Sequence, residues 1–329
     1  MSEHDVPFEL IADLPPDPRT HRAEEKQQLL ARRPLPPFLL DHENAARRYQ
    51  PSKQLLLAIN MALHTGSPLL LTGEPGTGKT QAADFVGFYF DIPVFKYLVK
   101  STSTARDLIY EFDAVGYLHW AQAAGRLQDD DPDHLARATQ AIRRGFLHKR
   151  ALWQAYEETG DAVVLIDEID KAPRDFPNDL LHELDQHSFP HPFDEHHPIR
   201  PQSQRPPIVI ITSNEERRLP DAFLRRCIFH RIELTDDLIE KAVESMARDG
   251  AGGFPHLDAA TRNVARKRFW DIRSLAEIEK PPATAELLTW LCILSAQRVD
   301  AETLENSALH ALPALDALIK DHDDLKRLP

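Results

Sequence analysis

The stretch PLLLTGEPGTGKT, residues 68–80, governs how the rest of the chain is read. Three leucines and a threonine between Pro68 and Gly73 have the composition of a short buried strand bounded by turn residues. The next eight residues, Gly73, Glu74, Pro75, Gly76, Thr77, Gly78, Lys79 and Thr80, fit the pattern G-x-x-x-x-G-K-[ST]. Glycines at 73, 76 and 78 let the backbone fold tightly enough to aim its N–H groups at phosphate oxygens. The helix expected to follow adds its N-terminal dipole. In that frame Lys79 reaches the β- and γ-phosphates of a nucleotide and the Thr80 hydroxyl ligates Mg²⁺. The plainer reading, a glycine-rich turn with an exposed lysine, leaves the flanking strand and helix unexplained.

Similar runs recur downstream. VVLIDEIDK (163–171) is four apolar residues followed by Asp167 and Glu168 at the carboxyl end of a strand, where ligands gather in open α/β sheets. Asp167 is placed to hold the Mg²⁺ shell, and Glu168 to polarise an attacking water. IVIITSN (208–214) ends in Asn214, for which two readings stand. It hydrogen-bonds a γ-phosphate and the lytic water, or it caps the turn before EERRLP. With IPVFKYLV and CIFHRIEL, these runs alternate with helix-compatible segments, which predicts a parallel sheet covered by helices. Beyond 235 the patterns are amphipathic helices such as DDLIEKAVESMARD and ATAELLTWLCILSAQRV. The expected organisation is a proline-rich extension over 1–45, an α/β core over 46–234 with an insert at about 101–150, and a helical domain over 235–329. Within the extension, RRPLPPFLL (32–40) reads as a polyproline II ligand or as a strap over the next domain.

SNEERRLPDAFLRRCIFH (213–230) puts Arg225 and Arg226 at the end of a short helical run. Pro220 suits a first helical position, and Asp221 precedes Arg225 by four residues, the favourable order for an ion pair. Arg226 has no such local partner, so its counter-charge is expected elsewhere in the chain or on another chain.

In order, these motifs resemble the Walker A, Walker B, sensor 1 and arginine-finger elements of the AAA+ ATPases. PLLLTGEPGTGKT, VVLIDEIDKAP and LPDAFLRRC resemble the MoxR branch, over about residues 45–300. The resemblance implies a P-loop NTPase core with a five-stranded parallel sheet, a helical lid, and ATP with Mg²⁺. It also implies a ring homo-oligomer, a hexamer in the commonest form, whose sites are completed by the neighbour's arginine. Either Arg226 or Arg225 fills that role. Such relatives use ATP-driven change to remodel or activate a partner protein, commonly one with a von Willebrand factor A domain.

The chain departs from the family's pattern in places. Related sequences carry a lid arginine where this one has Ala285, which leaves Lys280 as the nearest cation. In the insert, Tyr110, Phe112, Tyr117 and Trp120 cluster in sequence, either to engage a client or to pack on the core. His182, His187, His191, His196 and His197 lack metal-ligand spacing and read as a polar hairpin, which the resemblance places after a helix.

Composition bounds the alternatives. A 329-residue chain with 28% charged and 42% hydrophobic residues has enough material for two or three cores. Its net charge of −13 disfavours a nucleic-acid motor or restriction-type subunit, the first rival. The second rival is an ATP-dependent switch that does not hydrolyse, for which Glu168 would be superfluous. Cys227 and Cys292 are far apart and read as small buried hydrophobes. The apolar run LLTWLCILSA (287–296) is too short to span a bilayer, and a soluble cytoplasmic protein is expected.

Overall fold

A computed structural model describes residues 46–124, 145–203, 205–248 and 253–329, apart from the side chains at 121, 123, 124, 182, 195 and 248. The proline-rich reading of 1–45, the middle of the insert at 125–144 and the His182 side chain lie outside the described residues. The chain divides into Pro51–Glu233 and a second unit of Leu234–Pro329 with the described residues up to Gln50.

In the first unit, α1 (Lys53–Thr65) is capped by Ser52, whose Oγ accepts the Leu55 N–H at 3.1 Å. It is followed by β1 (Leu69–Thr72), α2 (Lys79–Phe90), β2 (Val94–Leu98), β3 (Tyr110–Phe112) and α3 (Ala114–Ala124). Next come β4 (Leu147–Lys149), α4 (Ala151–Glu157), β5 (Val163–Asp167), α5 (Phe176–Gln186), β6 (Phe189–His191) and β7 (Asp194–Ile199). The unit closes with β8 (Ile208–Ser213), α6 (Asp221–Leu224) and β9 (Ile228–Arg231).

Five strands form the expected parallel sheet in the order β2-β5-β8-β1-β9. Its three inner strands are almost wholly Leu, Ile and Val because helices cover both faces and leave no face for water. On one face Leu70, Val164, Ile166 and Ile211 join Trp153, Tyr156, Phe176 and Phe223 in a continuous core. Register matters more than topology for the site. Thr72 lies beside Ser213, and Ile166 beside Ile211, so the carboxyl ends of β1, β5 and β8 finish at one level. Two small antiparallel pairs, β3–β4 and β6–β7, stand apart from this sheet. The second follows α5, in the helix-then-hairpin order implied by the resemblance.

The second unit contains α7 (Asp236–Arg248), α8 (Ala259–Arg273), α9 (Thr284–Gln297), α10 (Ala301–Asn306) and α11 (His322–Lys326). They bury Ile239, Val243, Phe269, Ile272, Leu287, Trp290 and Leu294 in a core of their own. Trp290 satisfies its indole there by donating to the Pro313 carbonyl at 2.7 Å. Among the described residues, no helix is long and apolar enough to cross a membrane.

Candidate active site

The loop between β1 and α2 requires its glycines. Gly73 has φ 140°, and a Cβ there would come within 2.3 Å of the Ile232 carbonyl oxygen. Gly76 and Gly78 also have positive φ, 76° and 86°. Gly78 begins α2 and no side chain caps that helix, so its leading N–H groups face the loop's concavity without a side-chain competitor. The turn is pinned from within by Thr77, whose Oγ1 donates to the Glu74 carbonyl at 2.9 Å.

Lys79 is buried, and its Nζ donates to the carbonyls of Gly73 at 2.8 Å and Glu74 at 2.7 Å. An ammonium has three protons, so one is left for a phosphate oxygen. Burial lowers the lysine's pKa, while Asp170, Asp167, Glu215 and Glu168 act in the opposite direction and favour the charged form.

Thr80 and Asp167 meet as the sequence predicts. Thr80 Oγ1 donates to Asp167 Oδ1 at 3.0 Å, and Thr212 Oγ1 donates to the same oxygen at 2.5 Å. Two hard oxygen donors one hydrogen bond apart suit Mg²⁺, which takes one or two protein oxygens and keeps water and phosphate for the rest. Among the described residues no group of three or more His, Cys, Asp or Glu side chains is placed to hold a metal, the histidines of the β6–β7 hairpin included.

Glu168 adopts the left-handed conformation, φ 61° and ψ 51°, uncommon for a residue with a Cβ and characteristic of constrained functional positions. Its N–H donates to Thr212 Oγ1 at 2.9 Å. Its carboxylate accepts from Lys171 Nζ at 2.6 Å on Oε2, and from the Asn214 amide at 3.4 Å on Oε1. Asn214 therefore faces the acid rather than serving only as a turn residue.

Two neighbours of this group escaped the sequence reading. Asp170, 2% exposed, accepts the N–H groups of Asn214 and Glu216 at 3.2 and 3.1 Å and so fixes the turn after β8. Lys171 holds Glu168, as above. VVLIDEIDK carries a third acid and a lysine in plain view, and that density of charge after one strand was the available signal.

The arginines correct an expectation. Asp221 pairs with Arg218 at 3.2 Å, not with Arg225, although the Arg225 N–H donates to the Asp221 carbonyl at 3.1 Å. Arg218 reaches the carboxylate from ahead of the helix, which Pro220 caps instead of opening. Arg225 is exposed, with no carboxylate paired to it among the described residues. Arg226 is the one with a counter-charge inside the chain: its Nε lies 3.4 Å from Asp185 on α5, and its Nη1 donates to the Ala222 carbonyl at 3.2 Å. Lys280, in the helical unit, has its Nζ 2.7 Å from Asp321.

The insert's aromatics pack partly against the fold and partly on one another. Tyr110 meets Trp153 edge-on at 6.2 Å, Phe112 meets Phe193 of the hairpin at 5.7 Å, and Tyr117 stacks on Trp120 at 6.2 Å. The packing alternative fits Tyr110 and Phe112, whose partners lie outside the insert, while Tyr117 and Trp120 pack within it.

The sequence model of the AAA family, described as "ATPase family associated with various cellular activities", matches residues 69–235, just over half of the chain. The chain belongs to the AAA ATPase family. Its matched segment spans the phosphate loop, Asp167, Glu168, Asn214 and both arginines. Against curated proteins this AAA ATPase has no match. Among solved structures it is similar to a "putative ATPase" from Cytophaga hutchinsonii, with a TM-score of 0.40 and 15% identity, over 87% of this chain and 82% of that one. It is also similar to a RuvB mutant from Thermotoga maritima, with a TM-score of 0.38 and 15% identity, over 80% and 72%.

Proposed function

We propose that this AAA ATPase hydrolyses ATP with Mg²⁺ as a ring-forming, MoxR-like machine that remodels or activates a partner protein. One observation carries the catalytic part. Thr80, Asp167, Glu168 and Asn214 converge at the carboxyl ends of β5 and β8, joined through Thr212 and the Asn214–Glu168 contact, while Lys79 is held by carbonyls of the loop that follows β1. In this reading the loop N–H groups and Lys79 bind the phosphates. Thr80 and Asp167 hold Mg²⁺, which supplies charge neutralisation on the phosphate oxygens when bound. Glu168 accepts a proton from water, and Asn214 orients that water or the γ-phosphate. A non-hydrolysing switch would have no use for an acid held this carefully beside an amide.

The mechanical part rests on the sequence resemblance, on the helical unit after the core and on the exposed arginines. Lys280 stays the candidate lid cation of this reading, since its partly exposed pair with Asp321 holds it only weakly. A net charge of −13 argues against nucleic acid as the substrate being worked on. The test is ATP binding and phosphate release by the purified chain and by Glu168→Gln. The variant should bind ATP nearly as well as the parent and lose about a hundredfold or more in turnover, the usual worth of a general base. Undiminished turnover in Glu168→Gln would remove the acid from the reaction. No ATP uptake at millimolar concentration would remove the whole reading.

A further inference from the structure

We infer that Lys171 is a positioning residue for hydrolysis, acting through the Glu168 carboxylate. The inference rests on the reading of Glu168 as the base. The segment Ile169–Lys171 is one turn of 3₁₀-helix with Glu168 as its N-cap, closed by the Lys171 N–H donating to the Glu168 carbonyl at 3.0 Å. The tight turn returns the chain beside residue 168, and the long lysine side chain spans the remaining distance to the carboxylate.

The contact is selective. Lys171 Nζ takes Oε2 at 2.6 Å and the Asn214 amide addresses Oε1 at 3.4 Å. One oxygen is thereby committed to the protein, and the other is oriented beside the residue that faces the γ-phosphate in this reading. Residue 168 has its backbone fixed through Thr212, and the turn after Asn214 is fixed through Asp170. Lys171 supplies the remaining constraint, the rotation of the acid's side chain. An ordinary surface ion pair would make the same contact with no consequence for rate, since partly exposed pairs contribute little. Here the carboxylate being held is the reacting group, and displacing such a group by about 1 Å costs up to about a hundredfold in rate.

Steady-state ATP hydrolysis by the full chain separates the two. Lys171→Met should lower kcat about tenfold or more while KM for ATP moves less than about twofold, the signature of lost geometry at the reacting centre. Lys171→Arg, which keeps a cation in reach of Oε2, should recover most of the rate. In the Glu168→Gln background Lys171→Met should cost nothing further, because the residue it acts through is gone. Unchanged kcat in Lys171→Met, or an equal loss on top of Glu168→Gln, overturns the inference while the assignment of Glu168 stands. Normal turnover in Glu168→Gln alone overturns that assignment, and this inference with it.

Discussion

Gly73 and Gly66 both have positive φ, yet they answer to different constraints. Gly66 ends α1 at φ 67° with nothing within 4 Å of an added Cβ, so Gly66→Ala should cost only the left-handed penalty, about 1–2 kcal/mol. Gly73 at φ 140° would drive a methyl into a backbone oxygen of Ile232 at 2.3 Å, an atom that cannot swing aside. Gly73→Ala should therefore destabilise more than Gly66→Ala in denaturant titrations and abolish ATP binding, whereas Gly66→Ala should keep it. Equal melting and equal binding in the two variants would mean the loop tolerates side chains. The cysteines make a second test. Both are half-buried, and desolvation pushes both thiols up to about 12. Only the thiolate reacts, and at pH 8 a thiol with that pKa is ionised about once in ten thousand molecules. A disulfide reagent should label the native chain far more slowly than the denatured one, which should give two equivalents. Rapid native labelling would show that one of them is not shielded.

Elements differ in how plainly the sequence announces them. The inner strands were legible because burial on both faces forces runs of Leu, Ile and Val, and a glycine, an acid or an amide follows each run. Gly73, Asp167, Glu168 and Asn214 stood out as candidates for the same reason: each lies where a buried strand stops. Asp170 and Lys171 did not, because their roles depend on a turn geometry that spacing alone does not reveal. The Asp221–Arg225 pair failed although the backbone makes the i→i+4 link, because Arg218, just ahead of the helix, takes the Asp221 carboxylate instead. Three-residue strands such as β3 and β4 are too short to show a period, so the insert's packing had to come from structure. Phe112 of β3 and Phe193 beside β7 join those two small sheets through an edge-to-face contact. A double-mutant cycle on Phe112→Ala and Phe193→Ala should return a coupling of about 0.5–1.5 kcal/mol in stability, the range for aromatic pairs. Additive losses would mean the insert and the hairpin are independent.

For the whole molecule the decisive question is whether one chain suffices for hydrolysis. Arg226 lies half in solvent, its side chain 51% exposed, held by a 3.4 Å approach to a similarly exposed Asp185 and by one hydrogen bond to the Ala222 carbonyl. Exposed pairs of this kind are worth little, so the guanidinium can be recruited by a stronger anion on a neighbouring copy. Arg225, exposed and without a carboxylate partner among the described residues, is the alternative donor. A guanidinium supplied across an interface is worth about 10³–10⁵ in rate, so Arg226→Ala alone should be nearly inactive if it is the finger. Glu168→Gln alone should be inactive for a different reason. Mixing the two restores sites in which an intact acid faces an intact arginine; with random assembly in a head-to-tail ring that is about one interface in four. Recovery toward a quarter of the parent rate, at a subunit count matching the parent's, places the arginine in trans. Should the mixture stay inactive while light scattering shows assembled rings, Arg226 acts within its own chain or not at all, and the same cross with Arg225→Ala becomes the remaining test of a shared site.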